Sequence, residues 1–128
     1  MGDFRYIRYQ ATEPNARGHF TGIFGLANGL RRRGELTDAQ EAFMSTNNAW
    51  YDAAYTDPST VDATVYDREL NPGARAWFKA EATHLMERLP GYLAILDAHG
   101  VKWCRVESDD PGRVVYEDAD QVVVVPHV

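Results

Sequence analysis

Residues 111–126 read PGRVVYEDADQVVVVP, and this stretch decides the fold. Two runs rich in β-branched residues flank the polar turn Asp118-Ala119-Asp120, which is the pattern of a β-hairpin. The second run, residues 122–125, is valine at every position, whereas a strand with one wet face alternates apolar and polar residues. We therefore expect this arm to lie centrally in a sheet that is covered on both faces.

Other segments extend the sheet around this hairpin. Residues 4–9 alternate and are rich in aromatic side chains, which is typical of a strand. Residues 101–107 form a further candidate strand, and the turn at residues 108–112 leads from it into the first hairpin arm, residues 113–117. The sequence therefore predicts an antiparallel sheet of three to four strands, built from the N-terminal strand and the C-terminal strands.

Two helices are expected before residue 56. The first has apolar residues at the spacing of one helical face and ends at Gly34; the apolar residues are Ile23, Leu26, Ala27 and Leu30. The second starts at Thr37-Asp38-Ala39-Gln40 and continues to about Tyr55. This start is a capping box, in which the first and last side chains each satisfy the other's backbone N–H group.

A third helix is expected between Asn71 and Gly100. Asn71-Pro72 is interpreted as a cap followed by a proline at the first helical position. An apolar stripe then keeps its helical phase across Pro90, which predicts one kinked helix or two coaxial helices; its members are Phe78, Ala82, Leu85, Leu89, Leu93 and Leu96. The predicted fold class is α+β, a single domain of residues 1–128 in which two to three helices cover the sheet.

The composition excludes several classes of protein. The chain has 128 residues, of which 45% are hydrophobic and 25% charged, as in average globular domains. No window is apolar for the ~18 residues that span a bilayer, and the N-terminus lacks the apolar run of a signal peptide. The single cysteine, Cys104, allows no internal disulfide and is interpreted as a small buried strand residue. We therefore expect a soluble cytoplasmic protein with no membrane partner.

The net charge of −6 argues against nucleic acid as a partner, because binding to it depends on neutralising phosphates. One basic run, Arg31-Arg32-Arg33, is the only feature that favours it. The alternative interpretation of this run is a solvated last helical turn, where cations interact favourably with the helix dipole.

No metal site, cofactor site or catalytic motif is predicted. Glu81 and His84 have the spacing of one helical face, but a di-iron bundle needs two such pairs and two further glutamates. Residues 116–120 bring three carboxylates together, and aspartate is favoured in turns for backbone reasons as well. The sequence contains no serine elbow, phosphate-binding loop or dinucleotide fingerprint.

Two groups of residues are candidates for ligand binding. Arg17 and His19 precede the first helix, where unpaired N–H groups and two basic side chains favour an anionic ligand. Trp50, Tyr51 and Trp77 belong to an aromatic set on two predicted helices. Such a set is typical either of core packing or of an aromatic contact surface.

Three hypotheses about function follow from these features. The first is a small non-catalytic protein that binds a protein partner, a second copy of itself or a small ligand through its aromatic and Arg/His surface. The second is a small enzyme acting on an anionic substrate in a pocket near Arg17 and His19, with Tyr9 or Glu117 as a further group. The third is a nucleic-acid-associated protein that uses Arg31, Arg32 and Arg33.

The closing hairpin contains PGRVVYED and QVV, and four shorter pieces accompany it: FRYIR at residues 4–8, GIF at residues 22–24, AWFK at residues 76–79, and Leu96 with His99-Gly100. These pieces resemble a family of small uncharacterised prokaryotic proteins of actinobacterial and bacillus type. Together they extend over nearly the whole chain. The resemblance implies a small stand-alone protein with no assigned activity, and it transfers no catalytic residue.

Overall fold

The regular elements follow one another as a strand, two helices, a strand, two helices and three strands. The computed structural model describes residues 4–127. Its strands are β1 (Tyr6–Ala11), β2 (Arg75–Lys79), β3 (Trp103–Ser108), β4 (Arg113–Glu117) and β5 (Gln121–Val125). Its α-helices are α1 (Ile23–Arg32), α2 (Asp38–Ala54), α3 (Thr83–Met86) and α4 (Leu89–Ala98), and a short 3-10 helix spans Pro58–Thr60.

The five strands form one antiparallel sheet in the order β3-β1-β2-β5-β4. The predicted α+β class and antiparallel sheet are confirmed, although the sheet has one strand more than the three to four expected. β5 lies between β2 and β4, and Val122, Val123 and Val124 are 0% exposed. The valine arm is therefore central and covered on both faces, as predicted, up to the half-buried Val125.

The additional strand, β2, replaces the beginning of the third predicted helix, so that prediction is wrong at its start. Residues 71–74 form a turn, in which the Ala74 amide donates to the Asn71 carbonyl oxygen (3.2 Å). Gly73 has φ +72°, the left-handed value that glycine adopts after proline in a type II turn. Asn71-Pro72-Gly73 is therefore a turn signal rather than a helix cap.

Pairing on both sides explains why residues 75–79 are extended. β2 pairs with β1 at Ile7 and Phe78, and with β5 at Val122 and Trp77. Trp77 and Phe78, which were expected on a helix, are neighbours on a strand, so their side chains point to opposite faces of the sheet. Both are buried, at 9% and 6% exposure. Bulky aromatic residues are favoured there because strand propensity reflects packing against cross-strand neighbours.

The rest of the predicted third helix is two helices, α3 and α4, rather than one kinked helix. The turn residues Glu87 and Arg88 separate them. Pro90 lies in the first turn of α4, where its missing N–H costs no intrahelical hydrogen bond. Glu81 lies in the turn before α3, so Glu81 and His84 do not share the helical face that their spacing predicted.

The capping box of α2 and the glycine stops after α1 and α4 are confirmed. The Thr37 amide donates to Gln40 Oε1 (3.0 Å) and the Gln40 amide donates to Thr37 Oγ1 (3.2 Å), which are the two hydrogen bonds of the capping box. Gly34 and Gly100 follow α1 and α4 with φ +69° and +68°. This left-handed conformation is the usual end of a helix.

The chain forms two compact units, each made of segments that are distant in sequence. Among residues 4–127, the first unit contains residues 4–8, Tyr55–Thr83 and residues 106–127. The second contains Tyr9–Ala54 and His84–Arg105. A single domain stays a prediction.

Each unit has an apolar interior of its own. In the first, Trp77, Val122 and Val124 form a buried cluster that packs against Tyr6 and Val106. In the second, α4 packs against α1 and α2. Four aromatic rings meet edge to face there, and they belong to Phe24, Phe43, Tyr51 and Tyr92.

Candidate functional site

Two arginines and two tyrosines from four parts of the chain lie close together in the first unit. The evidence for their proximity is that Arg75, Tyr66 and Tyr55 each affect the pKa of Arg8. Arg8 comes from β1, and Arg75 is the first residue of β2. Tyr55 follows the end of α2, and Tyr66 belongs to the loop before β2. These four residues are referred to below as the arginine–tyrosine cluster.

Arg8 is held against the neighbouring strand. Its Nη1 donates to the Ala76 carbonyl oxygen (2.8 Å), and its side chain is half-buried. Burial and then the positive charge of Arg75 lower the pKa of Arg8 from 12.5 to about 10, while the hydroxyl groups of Tyr66 and Tyr55 act in the opposite direction. At neutral pH Arg8 is therefore still a cation, but its surroundings disfavour the charge.

Arg75 supplies the second guanidinium group. Its side chain is half-buried, and burial lowers its pKa below the usual value. Its Nε lies 3.5 Å from the Gly73 carbonyl oxygen, a distance at the limit of a hydrogen bond. Because a guanidinium carries five N–H donors, this contact uses little of the donor capacity of Arg75.

Tyr55 and Tyr66 add neutral donors to the cluster. The ring of Tyr55 stacks on that of Phe78, with the ring centroids 5.4 Å apart and the planes at 29°. Burial raises the pKa of both tyrosines, and nearby carboxylates raise it further. Both hydroxyl groups therefore stay protonated at neutral pH and can donate to an acceptor.

Two of the carboxylates that raise the pKa of these tyrosines, Asp57 and Asp118, accept hydrogen bonds from residues in their own turns. Asp57 accepts from the amide (2.9 Å) and hydroxyl (2.7 Å) of Ser59. Asp118 accepts from the Tyr116 hydroxyl (2.8 Å) and from the amides of Asp120 (2.8 Å) and Gln121 (3.0 Å). Burial alone would raise the pKa of Asp118, but these hydrogen bonds outweigh it and lower the pKa. The acidic segment around Asp118 is therefore a hydrogen-bonded turn.

The arginine–tyrosine cluster has the chemistry of an anion site. Guanidinium groups bind carboxylate and phosphate oxygens through pairs of parallel N–H groups. An anion between Arg8 and Arg75 would also offset the repulsion between their like charges. Within residues 4–127, no group of three or more His, Cys, Asp or Glu side chains is placed to hold a metal ion.

The sequence-predicted anion loop is exposed. Arg17 and His19 lie in the second unit, before α1, and their side chains are open to solvent. The Asn15 side chain shapes this loop, because its Oδ1 accepts from the amides of Arg17 (2.9 Å) and His19 (3.1 Å). Gly22 caps α1 without a side-chain hydrogen bond. An anion site at Arg17 and His19 stays a prediction.

The predicted aromatic site residues are divided between the two units. Trp50 and Tyr51 are neighbours on α2, with ring centroids 5.0 Å apart, whereas Trp77 lies on β2 in the first unit. Tyr51 is buried, and its hydroxyl donates to the Leu85 carbonyl oxygen. Trp50 is half-buried, and the guanidinium of Arg88 lies 4.0 Å from its ring centroid. A ligand at these residues stays a prediction.

The basic run at the end of α1 is partly neutralised. Arg31 pairs with Glu41 (3.2 Å) and Arg33 pairs with Glu35 (3.0 Å), and Arg32 is exposed. Paired arginines have less positive charge to offer to phosphates. As to membranes, none of the helices in the described part of the chain has the length and apolar character that crossing a bilayer requires.

A groove of about 490 Å³ lies in the second unit, beside the end of α4 and the start of β3. The Nε1 of Trp103 donates to Asp97 Oδ1 (2.9 Å) there, and the rings of Tyr9 and Trp103 are 6.2 Å apart. The residues that line the groove are Thr12, Asp97, Gly100, Val101, Lys102 and Trp103. The groove is wide open to solvent, and its volume lies within the range of small-molecule sites.

No family model matches the chain, and neither a curated protein nor a solved structure matches it. The resemblance of the closing hairpin to a prokaryotic family therefore stays a prediction.

Proposed function

We propose that the protein binds a small anionic ligand, one that carries a carboxylate or phosphate group, at the arginine–tyrosine cluster. The observation that carries this proposal is the placement of two half-buried arginines together with two tyrosines in one neighbourhood. Bringing like charges together while removing water from them costs free energy. Groups whose pKa is shifted by burial and by a neighbouring charge are concentrated at functional sites, which supports this placement.

The donors of the cluster favour oxyanions over other ligands. Each guanidinium group presents paired N–H donors whose spacing matches the oxygens of a carboxylate or phosphate, while Tyr55 and Tyr66 add O–H donors without adding charge. Partial burial strengthens each charge-assisted hydrogen bond, since fewer water molecules compete for it. Tyr66 is 41% exposed, which supports access from solvent on its side of the cluster.

This proposal combines two of the hypotheses from the sequence. From the first it keeps a small binding protein, and from the second, a small enzyme with an anionic substrate, it keeps the anionic ligand. The alternative anion site is the loop with Arg17 and His19. The two sites are distinguishable by substitution, because they use different arginines on different elements.

Isothermal titration calorimetry of the full chain tests the proposal, with inorganic phosphate and succinate as probes at low ionic strength. We expect saturable binding of at least one probe. Arg75→Gln should bind it at least tenfold more weakly, because a hydrogen bond to a charged group contributes about 1.5–3 kcal/mol. Arg32→Gln, which changes an exposed arginine of α1, is the matched control and should bind like the wild type.

Two outcomes would contradict the proposal. Unchanged affinity in Arg75→Gln would show that the cluster does not hold the anion. Loss of binding in Arg17→Gln, with Arg75→Gln unaffected, would assign the anion to the loop before α1. Circular dichroism of each variant separates a lost site from a lost fold.

A further inference from the structure

The groove of the second unit has an aromatic wall that a hydrogen bond holds in place. Trp103 is half-buried at the start of β3, and its indole N–H donates to Asp97 at the end of α4 (2.9 Å). This bond sets the position of the indole ring. The ring of Tyr9 lies beside it, tilted by 44° at a centroid distance of 6.2 Å.

The backbone at Gly100 leaves space beside this wall. Gly100 follows α4 with φ +68°, and the Val101 amide closes the helix by donating to the Leu96 carbonyl oxygen (2.9 Å). A Cβ placed at Gly100 meets no atom within 4 Å. Because other residues are strained at this φ, the helix end beside this open space depends on glycine.

The polar groups of the groove have both signs of charge. Asp97 accepts the indole N–H on Oδ1, which leaves Oδ2 as an acceptor. Lys102 is exposed and supplies an ammonium donor, and the Thr12 hydroxyl both donates and accepts. With one acidic and one basic side chain, the lining has no net charge and favours neither an anion nor a cation.

We propose that this groove binds a neutral polyhydroxylated ring, the chemical class of monosaccharides and cyclic polyols. The C–H face of such a ring packs on the indole of Trp103. Its hydroxyl groups both donate and accept, which matches the mixed donors and acceptors of Asp97, Lys102 and Thr12. The volume of about 490 Å³ is that of a small-molecule site. This site is independent of the arginine–tyrosine cluster.

Two-dimensional ¹H–¹⁵N NMR of the full chain tests this assignment through the indole N–H signals. The chain has three tryptophans, so Trp50 and Trp77 provide internal controls, and Trp103→Phe identifies the signal of Trp103. The probes are glucose, galactose and myo-inositol, with arginine and inorganic phosphate as charged comparisons. We expect at least one neutral ring to shift the Trp103 signal in a saturable way, while the other two indole signals stay in place.

Substitutions then separate the contribution of the Trp103 ring to binding from that of the polar side chains. Trp103→Ala should weaken binding of the neutral ring at least tenfold in saturation-transfer NMR. Asp97→Asn should weaken it severalfold, and Asp52→Asn on α2 is the matched control with an exposed aspartate. The inference is overturned if no neutral ring shifts the Trp103 signal, if only arginine or phosphate shifts it, or if Trp103→Ala binds like the wild type. The wild-type titration is informative even if Trp103→Ala does not fold.

Discussion

Two pairs of arginines in this protein have the same functional group and different surroundings. Arg31 and Arg33, at the end of α1, form ion pairs with glutamates, and Arg33 is exposed. Arg8 and Arg75 come from adjacent strands and are half-buried, and burial and then the charge of Arg75 lower the pKa of Arg8.

The difference favours Arg8 and Arg75 over the basic run as the proposed ligand site. Exposed ion pairs contribute only about 0–1 kcal/mol, because water and salt screen them. Water and salt screen half-buried like charges less. An anion that binds to both of them therefore stabilises the folded state more. We therefore propose the anion site at separate arginines brought together by strands and not at the basic run in the sequence.

A bound anion should produce the largest effect on stability. A ligand that binds only the folded state raises the free energy of unfolding by about 2.7 kcal/mol at 100 times its Kd. Urea unfolding, followed by tryptophan fluorescence with and without the anion that binds in calorimetry, measures this gain. Arg75→Gln should lose most of it and Arg31→Gln should keep it. Equal gains in the two variants would show a general salt effect and remove the contrast between the pairs.

Alkaline pH tests whether the cluster is desolvated. Burial raises the pKa of Tyr55 above its unfolded value of 10.0, so above that pH the folded state holds the proton more tightly. The stabilisation is complete below pH 10 and is lost as the pH rises, by up to about 1.4 kcal/mol per pH unit for one group. Tyr55→Phe should therefore flatten the alkaline decline of the free energy of unfolding. Parallel curves for the two proteins would contradict the buried environment.

Removing one of the like charges should stabilise the protein in anion-free buffer. Arg75→Met keeps an apolar stem of similar length and ends the repulsion on Arg8, so we expect the free energy of unfolding to rise by about 1 kcal/mol. The same variant should no longer bind the anion. Arg31→Met, by contrast, should leave stability unchanged or lower it by less than about 1 kcal/mol. A less stable Arg75→Met protein would indicate a structural role for Arg75.

The smallest effect is expected at the ion pair of Arg31 and Glu41, whose side chains are 37% and 40% exposed. A double-mutant cycle with alanine at both positions should give a coupling energy of about 0.2–1 kcal/mol, and about 1 M salt should abolish it. Urea unfolding of the four proteins measures the coupling. A coupling above about 2 kcal/mol that persists in about 1 M salt would contradict this expectation, because it would show that solvent screens the pair as little as it screens Arg8 and Arg75.

Local signals predicted much of the fold and failed where a turn imitates a helix cap. The capping box at Thr37, the glycine at the end of α4 and the valine arm of β5 were all predicted from neighbours within a few residues. Asn71-Pro72 was interpreted as a helix start because proline is common there, and Phe78 happened to continue a helical stripe. Gly73 was the local clue to the turn, but the extended state of β2 also needs strands on both sides.

The candidate site was less predictable than the fold. Arg17 and His19 were found because they are close in sequence, and the structure leaves both exposed. Arg8 and Arg75 were not predicted as a site, although Arg8 lies on a strand whose faces are both mixed in polarity. Their proximity follows from the pairing of β1 with β2, which no short motif encodes.

Segment by segment, the sequence alone determined where apolar runs, caps and glycine stops occur, because these depend on side chains and dihedral angles within a few residues. Only the tertiary structure decided that residues 75–79 are extended and that Arg8 and Arg75 share one environment. Hydrogen bonds between strands and the loss of water around a charge arise only when distant segments meet, so neither property exists in the chain before the sheet forms.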